Sequence, residues 1–187
     1  MHDGELTDWK LLSPFLFLRL SYEEKSTYAL VSLVVSIVAT VAFAVLPIQP
    51  ALFGSEGFLS DIQSLVTILF PFLVASLVAV ATFSKETLDK PPIGGQVKLV
   101  RVGYADYILK RREFVSLLFA YCSASSLGLF IAILIAKALR ASVLIWLPAQ
   151  TVLAFKIILV FIVSFVFAHL LISTFWGLYY LMYRINR

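Results

Sequence analysis

Residues 114–136 read FVSLLFAYCSASSLGLFIAILIA, 23 positions without one charged side chain. A helix over them rises about 35 Å at 1.5 Å per residue, enough to cross the roughly 30 Å hydrocarbon core of a bilayer. Three further apolar runs, 27–46, 62–83 and about 151–178, accompany it in a chain of 187 residues. The expected fold is an all-α membrane protein with four transmembrane helices, an N-terminal interfacial helix and a basic cytosolic connection between helices 2 and 3. Its parts are a cytosolic and interfacial segment 1–26, a first helical hairpin 27–83, the basic connection 84–113, and a second hairpin with its tail, 114–187.

Hydrophobic residues make up 61% of the chain, and the longest polar stretch is the connection 84–113. That stretch is too short for a soluble catalytic domain, which takes on the order of 100 residues. The single cysteine, Cys122, lies inside the third run and excludes an intramolecular disulfide or a cysteine-based metal cluster within one chain. The opening Met-His-Asp-Gly-Glu lacks the basic, apolar and small-residue sections of a signal peptide, so the first span is expected to be retained. Hydrolytic chemistry needs a nucleophile with its base, or ligands for a metal. The two histidines stand far apart, the acids are scattered, and Ser123, Ser125 and Ser126 have neither a Gly-x-Ser-x-Gly frame nor an aspartate pair. No catalytic residue, metal site or cofactor is expected, and the chain reads as a non-enzyme.

Basic residues set the orientation. Three precede the first span, seven lie in 84–113 and two at the C-terminus, so twelve of the fifteen fall on one side when both termini and the long connection are cytoplasmic. The expected arrangement is multi-pass, with both ends inside. The connection 47–61, with Pro47, Pro50, Gly54 and Gly57, is then an outer turn. Lys156 snorkels at the outer interface, and Trp176, Tyr179, Tyr180 and Tyr183 form the inner aromatic belt. Trp9–Leu20, WKLLSPFLFLRL, is too short to cross and reads as an interfacial element with Pro14 at a first helical position.

The connection carries Lys85, Lys90, Lys98, Arg101, Lys110, Arg111 and Arg112. Lys90-Pro91-Pro92-Ile93-Gly94-Gly95 is rich in turn residues, Gln96–Val102 is β-prone, and after Gly103 a helix is expected from Ala105 into the third span, with Asp106 as its cap. Lys98, Arg101, Lys110, Arg111 and Arg112 supply phosphate-binding charge, and Tyr104 and Tyr107 supply stacking surfaces, the combination that holds single-stranded nucleic acid. These seven are the candidate ligand-binding residues. The bland alternative is a topology signal that touches anionic headgroups. There is no Walker loop and no dinucleotide fingerprint.

Small residues recur every four positions along the third run, at Ser116, Ala120, Ala124, Gly128, Ala132 and Ala136, a spacing that lets helix backbones approach. Ser32, Ser36, Thr40 and Ala44 repeat it in the first run, and Pro71, Ala75 and Ala79 in the second, where Pro71 is expected to kink the helix. Packing inside one subunit accounts for such stripes. Alternatively the hydroxyl face of Ser32, Ser36 and Thr40 lines a water-filled path at a subunit interface, which requires a ring of copies. His169, well inside the fourth run with Ser173 one turn later, completes the pore-lining candidates. Its bland reading is a neutral histidine hydrogen-bonded to Ser173 or to a neighbouring helix. The absence of intramembrane Asp or Glu argues against a coupled transporter.

Leu88-Asp89-Lys90-Pro91-Pro92, Lys110-Arg111-Arg112-Glu113-Phe114 and Trp176-Gly177-Leu178-Tyr179-Tyr180 resemble small four-span membrane proteins of bacterial antiphage systems. The Hailong-type membrane effector is the nearest, with the Kiwa-type membrane subunit as the alternative. The resemblance implies a homo-oligomeric channel, a tetramer by preference. Oligodeoxynucleotides made by a partner nucleotidyltransferase would hold it shut until infection removes them. The expected function is therefore an ion-conducting effector of the bacterial inner membrane gated through its cytosolic face by an anionic ligand. The alternative is a non-conducting anchor or sensor that recruits a cytosolic protein partner. Expected partners are further copies of the chain, membrane lipid, and the oligonucleotide or the cytosolic protein.

Overall fold

A computed structural model of the chain describes residues 10–21, 25–45, 51–82, 86–90, 97–99, 107–146 and 148–184. A 3-10 helix, Lys10–Arg19, leads into β1 (Leu20–Ser21) and α1 (Lys25–Val45). α2 (Phe58–Thr82) is followed by a short 3-10 turn, Glu86–Asp89, then β2 (Lys98–Leu99) and β3 (Tyr107–Ile108). α3 (Arg111–Trp146) and α4 (Ala149–Tyr179) complete the chain, and α4 ends in a π turn over Tyr180–Arg184. Among the described residues, four helices are long and apolar enough to cross a membrane, with mean hydropathy between 2.1 and 2.6 over their spans. The fold is thus all-α and four-span, and the three strands are a small clip of two residues each.

The distribution of apolar side chains supports a lipid setting. Leu30, Val38, Ile158, Phe175 and Ile68, the last 72% exposed, are turned outward along the helices. In water such surface would drive association, whereas lipid tails solvate it at no cost. On α1 the polarity is inverted: Val34, Val35 and Ile37 are exposed while Ser32 and Ser36 are enclosed. Burial is tolerable because each hydroxyl bonds to a carbonyl of its own helix: Ser32 Oγ to Tyr28 O at 2.9 Å, Ser36 Oγ to Leu33 O at 2.8 Å and Thr40 Oγ1 to Ser36 O at 2.7 Å.

The described residues gather into two compact units. One draws on Met1–Lys25, Leu73–Ala124 and Thr174–Arg187, the other on Ser26–Phe72 and Ser125–Ser173. In the first, Phe17 stacks on Tyr121 at 5.0 Å between ring centroids, and Phe114 meets the edges of Trp176 at 5.1 Å and Tyr180 at 5.4 Å. In the second, Phe43, Leu52, Leu59, Ile62, Val66, Leu129, Ile133, Val160 and Val163 form the core.

Several boundaries differ from expectation. α3 begins at Arg111 and not near Ala105, because the segment before it is occupied: Tyr107 and Ile108 pair with Leu99 and Lys98, and Leu109 N donates to Val97 O at 3.1 Å. Lys110 N donates to Glu113 Oε2 at 2.9 Å, one half of a capping box. No cytosolic extension of the third helix precedes that cap, and Asp106 lies outside the described residues. At its other end α3 runs past Ala136 to Trp146. α2 starts at Phe58, inside the expected outer turn, and continues through Pro71. Pro14 sits within the 3-10 helix and not at its start. Tyr180, assigned to an interfacial belt, is 2% exposed among the rings around Phe114, and Tyr179 is half-exposed. Of the Tyr183 side chain nothing is described.

Candidate functional site

The sheet positions the basic connection. β2 lies between β1 and β3, with Ser21 opposite Lys98 and Lys98 opposite Ile108, all antiparallel. Side chains alternate across a strand. Val97 and Leu109 are buried while Lys98, Ile108 and Lys110 are exposed, so one sheet face is dry and the other carries two lysines into solvent. Among the described residues, no carboxylate lies within 4 Å of either ammonium. Leu20, fully buried, pairs with Leu99 in β1 and anchors the N-terminal segment to the same sheet.

The run Lys110-Arg111-Arg112 does not present one face. Successive residues on a helix diverge by about 100°, so three adjacent cations point three ways. Lys110 is exposed, whereas Arg111 is 6% exposed, and the Arg111 backbone N–H donates to Lys90 O at 3.0 Å. Arg112 turns sideways: Nε reaches Asp89 Oδ1 and Nη1 reaches Ala81 O, both at 3.4 Å. The Arg111 backbone and the Arg112 side chain thus link the start of α3 to the 86–90 turn and the end of α2. Tyr107 pairs with Leu99 in the register. Arg101 and Tyr104 lie outside the described residues. Of the seven candidates, Lys98 and Lys110 are the two the structure places together in solvent.

The pore-lining candidates also come together, but within one chain. Ser32 and Ser36 are fully buried within the chain, and Thr40 is half-buried. Ser32 Oγ stands 3.4 Å from Nδ1 of His169, which is half-buried on α4, and Ser173 is buried on the same helix. Since the Ser32 proton goes to Tyr28 O, Oγ can only accept from the ring, and the contact is a hydrogen bond in the Nδ1–H tautomer. The Phe165 ring lies nearly parallel to His169 at 6.3 Å. The hydroxyl of Ser164 is buried with no hydrogen-bond partner among the described residues.

Sequence reading missed a third cluster, Lys137 and Arg140 on α3 with the loop before α2. The signal available was weak, two basic residues three apart just beyond a span. No group of three or more His, Cys, Asp or Glu side chains comes together among the described residues. Comparison of the chain with protein families, with characterised proteins and with solved structures finds no match.

Proposed function

We propose that the chain is the subunit of a homo-oligomeric ion-conducting effector of bacterial antiphage defence in the inner membrane. Both termini are cytosolic, and control comes from an anionic ligand, an oligonucleotide by preference, on the cytosolic connection. The observation that carries this reading is the exposed pair of Lys98 on β2 and Lys110 at the cap of α3, neither with a carboxylate within 4 Å among the described residues. β3 runs within three residues of the root of α3, and β1 ties in the N-terminal segment, so an anion held there loads a membrane-crossing helix directly. Assembly is supported by α3 itself. Gly128 and Ala132 are exposed, and beyond its own turns of helix no described residue comes within 4 Å of a Cβ built at Gly128. A small-residue face open to lipid is where a second copy packs closely.

Enclosure of Ser32 and Ser36 favours a second reading, since it takes the hydroxyl face away from any path between subunits. In that reading the chain is a non-conducting anchor, and the same lysines recruit a cytosolic partner. Reconstitution in planar bilayers separates the two. The channel reading expects a current that a short single-stranded oligodeoxynucleotide alters, and loss of that response in Lys98→Gln/Lys110→Gln. An unchanged response in the double variant rejects the lysine site, and a wild-type oligomer that passes no current rejects conduction.

A further inference from the structure

We infer that the cleft at the start of α2 binds a phosphate-bearing anion, supplied by the headgroup of an anionic phospholipid. The cleft encloses about 380 Å³ and is lined by Phe53, Gly54, Ser55, Ser60, Lys137 and Arg140. Lys137 and Arg140 are three apart on α3 and so share a helix face.

Each cation is held in place without being neutralised. Lys137 Nζ donates to Ser60 Oγ at 2.7 Å and to Gln63 Oε1 at 2.6 Å, two uncharged acceptors, which leaves its third N–H available. The Arg140 guanidinium lies over the Phe53 ring, 5.9 Å from its centroid, a contact that fixes the fork while sparing its donors. Glu56 and Asp61 are the acids nearest in sequence. Both are exposed, and neither lines the cleft or comes within 4 Å of Lys137 or Arg140. Two like charges placed side by side repel. A built pair with no carboxylate beside it among the described residues is an arrangement that an anion completes.

The loop is preorganised for this. Phe58 N donates to Ala51 O at 2.9 Å, Leu59 N donates to Leu52 O at 3.3 Å, and the Ser60 hydroxyl donates to the Gly54 carbonyl. Gly54 has φ of 121°, a conformation open to glycine and strained for other residues. Ser60 therefore serves both the loop and Lys137, and the cleft needs no rearrangement to accept a ligand.

Depth and chemistry select the ligand. Lys137 ends the charge-free run that starts at Phe114, about 35 Å of helix, which sets it at the level of the headgroups. A guanidinium fork matches two phosphate oxygens, and an ammonium adds a point charge beside it. Leu139, next to Arg140, and Ile135 are exposed on α3 and offer apolar surface to acyl chains.

Native mass spectrometry of the detergent-purified protein with added phosphatidylglycerol tests the site. Wild type should retain phosphatidylglycerol adducts, and Arg140→Gln and Lys137→Gln/Arg140→Gln should need about tenfold more lipid for the same occupancy. Arg140 is exposed with a ring as its contact, so its single variant keeps the fold even if loss of the Lys137 bonds does not. Lys98→Gln/Lys110→Gln should retain the adducts, which makes this outcome independent of the cytosolic ligand. Adducts that persist against excess inorganic phosphate identify the lipid headgroup. If inorganic phosphate displaces them, and binds wild type but not the variants, the same site serves free phosphate. Equal phosphatidylglycerol retention in wild type and Arg140→Gln overturns the inference.

Discussion

Two glycines inside the membrane-crossing helices should answer alanine in opposite senses. A Cβ at Gly177 on α4 comes 2.7 Å from Leu118 Cδ2 and 3.2 Å from Phe119 Cζ. Both partners are fully buried, so neither can swing into open space. Forcing a methyl into such a core costs about 1–3 kcal/mol, against which alanine regains about 1 kcal/mol of helix propensity. The net expectation is a loss of roughly 0–2 kcal/mol, or up to about 8 °C in melting temperature at roughly 2–4 °C per kcal/mol for a chain of this size. At Gly128 no described residue outside its own turns of helix lies within 4 Å of the added Cβ, so the isolated subunit should gain about 1 kcal/mol from the same change. Thermal unfolding of the detergent-purified variants, read beside oligomer mass, measures both. A Gly177→Ala protein more stable than wild type would refute the packing argument around Leu118. Gly128→Leu extends the test: its side chain fits the lone subunit and blocks close approach of a second copy, so oligomer mass should fall. Retention of the wild-type mass would remove α3 as the assembly face.

The remaining expectations concern single contacts. Glu113→Ala removes the carboxylate that receives the Lys110 N–H at the start of α3 and should cost about 1 kcal/mol in thermal unfolding, as other cap losses do. Asp89→Asn should change stability by less than about 1 kcal/mol, because the Arg112–Asp89 pair is 26% and 53% exposed and its contact is 3.4 Å. Nitrogen-15 NMR of the His169 ring should find the proton on Nδ1, and an Nε2–H tautomer would break the assigned contact with Ser32. Ser32→Ala should cost under about 1 kcal/mol, since the long contact to His169 is all that the helix cannot replace internally.

The four spans were legible because a helix in lipid must be apolar for about 20 residues, and this constraint acts on each segment alone. What pairs with what was not legible to the same degree. Gln96–Val102 showed its β character, yet the strand that receives it, Tyr107–Ile108, lay in a stretch whose composition also suits a helix, and pairing decided the matter. The Lys110-Arg111-Arg112 run shows how composition misleads about a site. As a count it is one basic patch; on a helix it becomes one exposed lysine, one buried arginine and one ion-paired arginine. The Lys137 cleft depends on Ser60 and Gln63, more than 70 positions away, a contact that no local pattern encodes.

The hydroxyls of α1 teach the most about reading a membrane sequence. A stripe of Ser32, Ser36 and Thr40 has two physical meanings, a wetted wall or a close-packed seam, and the spacing is identical in both. What separates them is the opposite face of the helix. Val31, Val34, Val35, Val38 and Val41 cover the rest of α1 with branched side chains that suit lipid, and all are exposed. A helix with one aliphatic face and one narrow small-residue face turns the narrow one inward, because close approach gains dispersion contacts that lipid cannot match. On α3 the same small-residue spacing meets a different outcome: Ser116, Ala120, Ala124 and Ala136 are half-buried, while Gly128 and Ala132 are exposed. By the α1 rule, a narrow stretch left exposed among the described residues is where a second copy would pack, which is why the proposed assembly face is Gly128 and Ala132 of α3 and not the hydroxyls of α1.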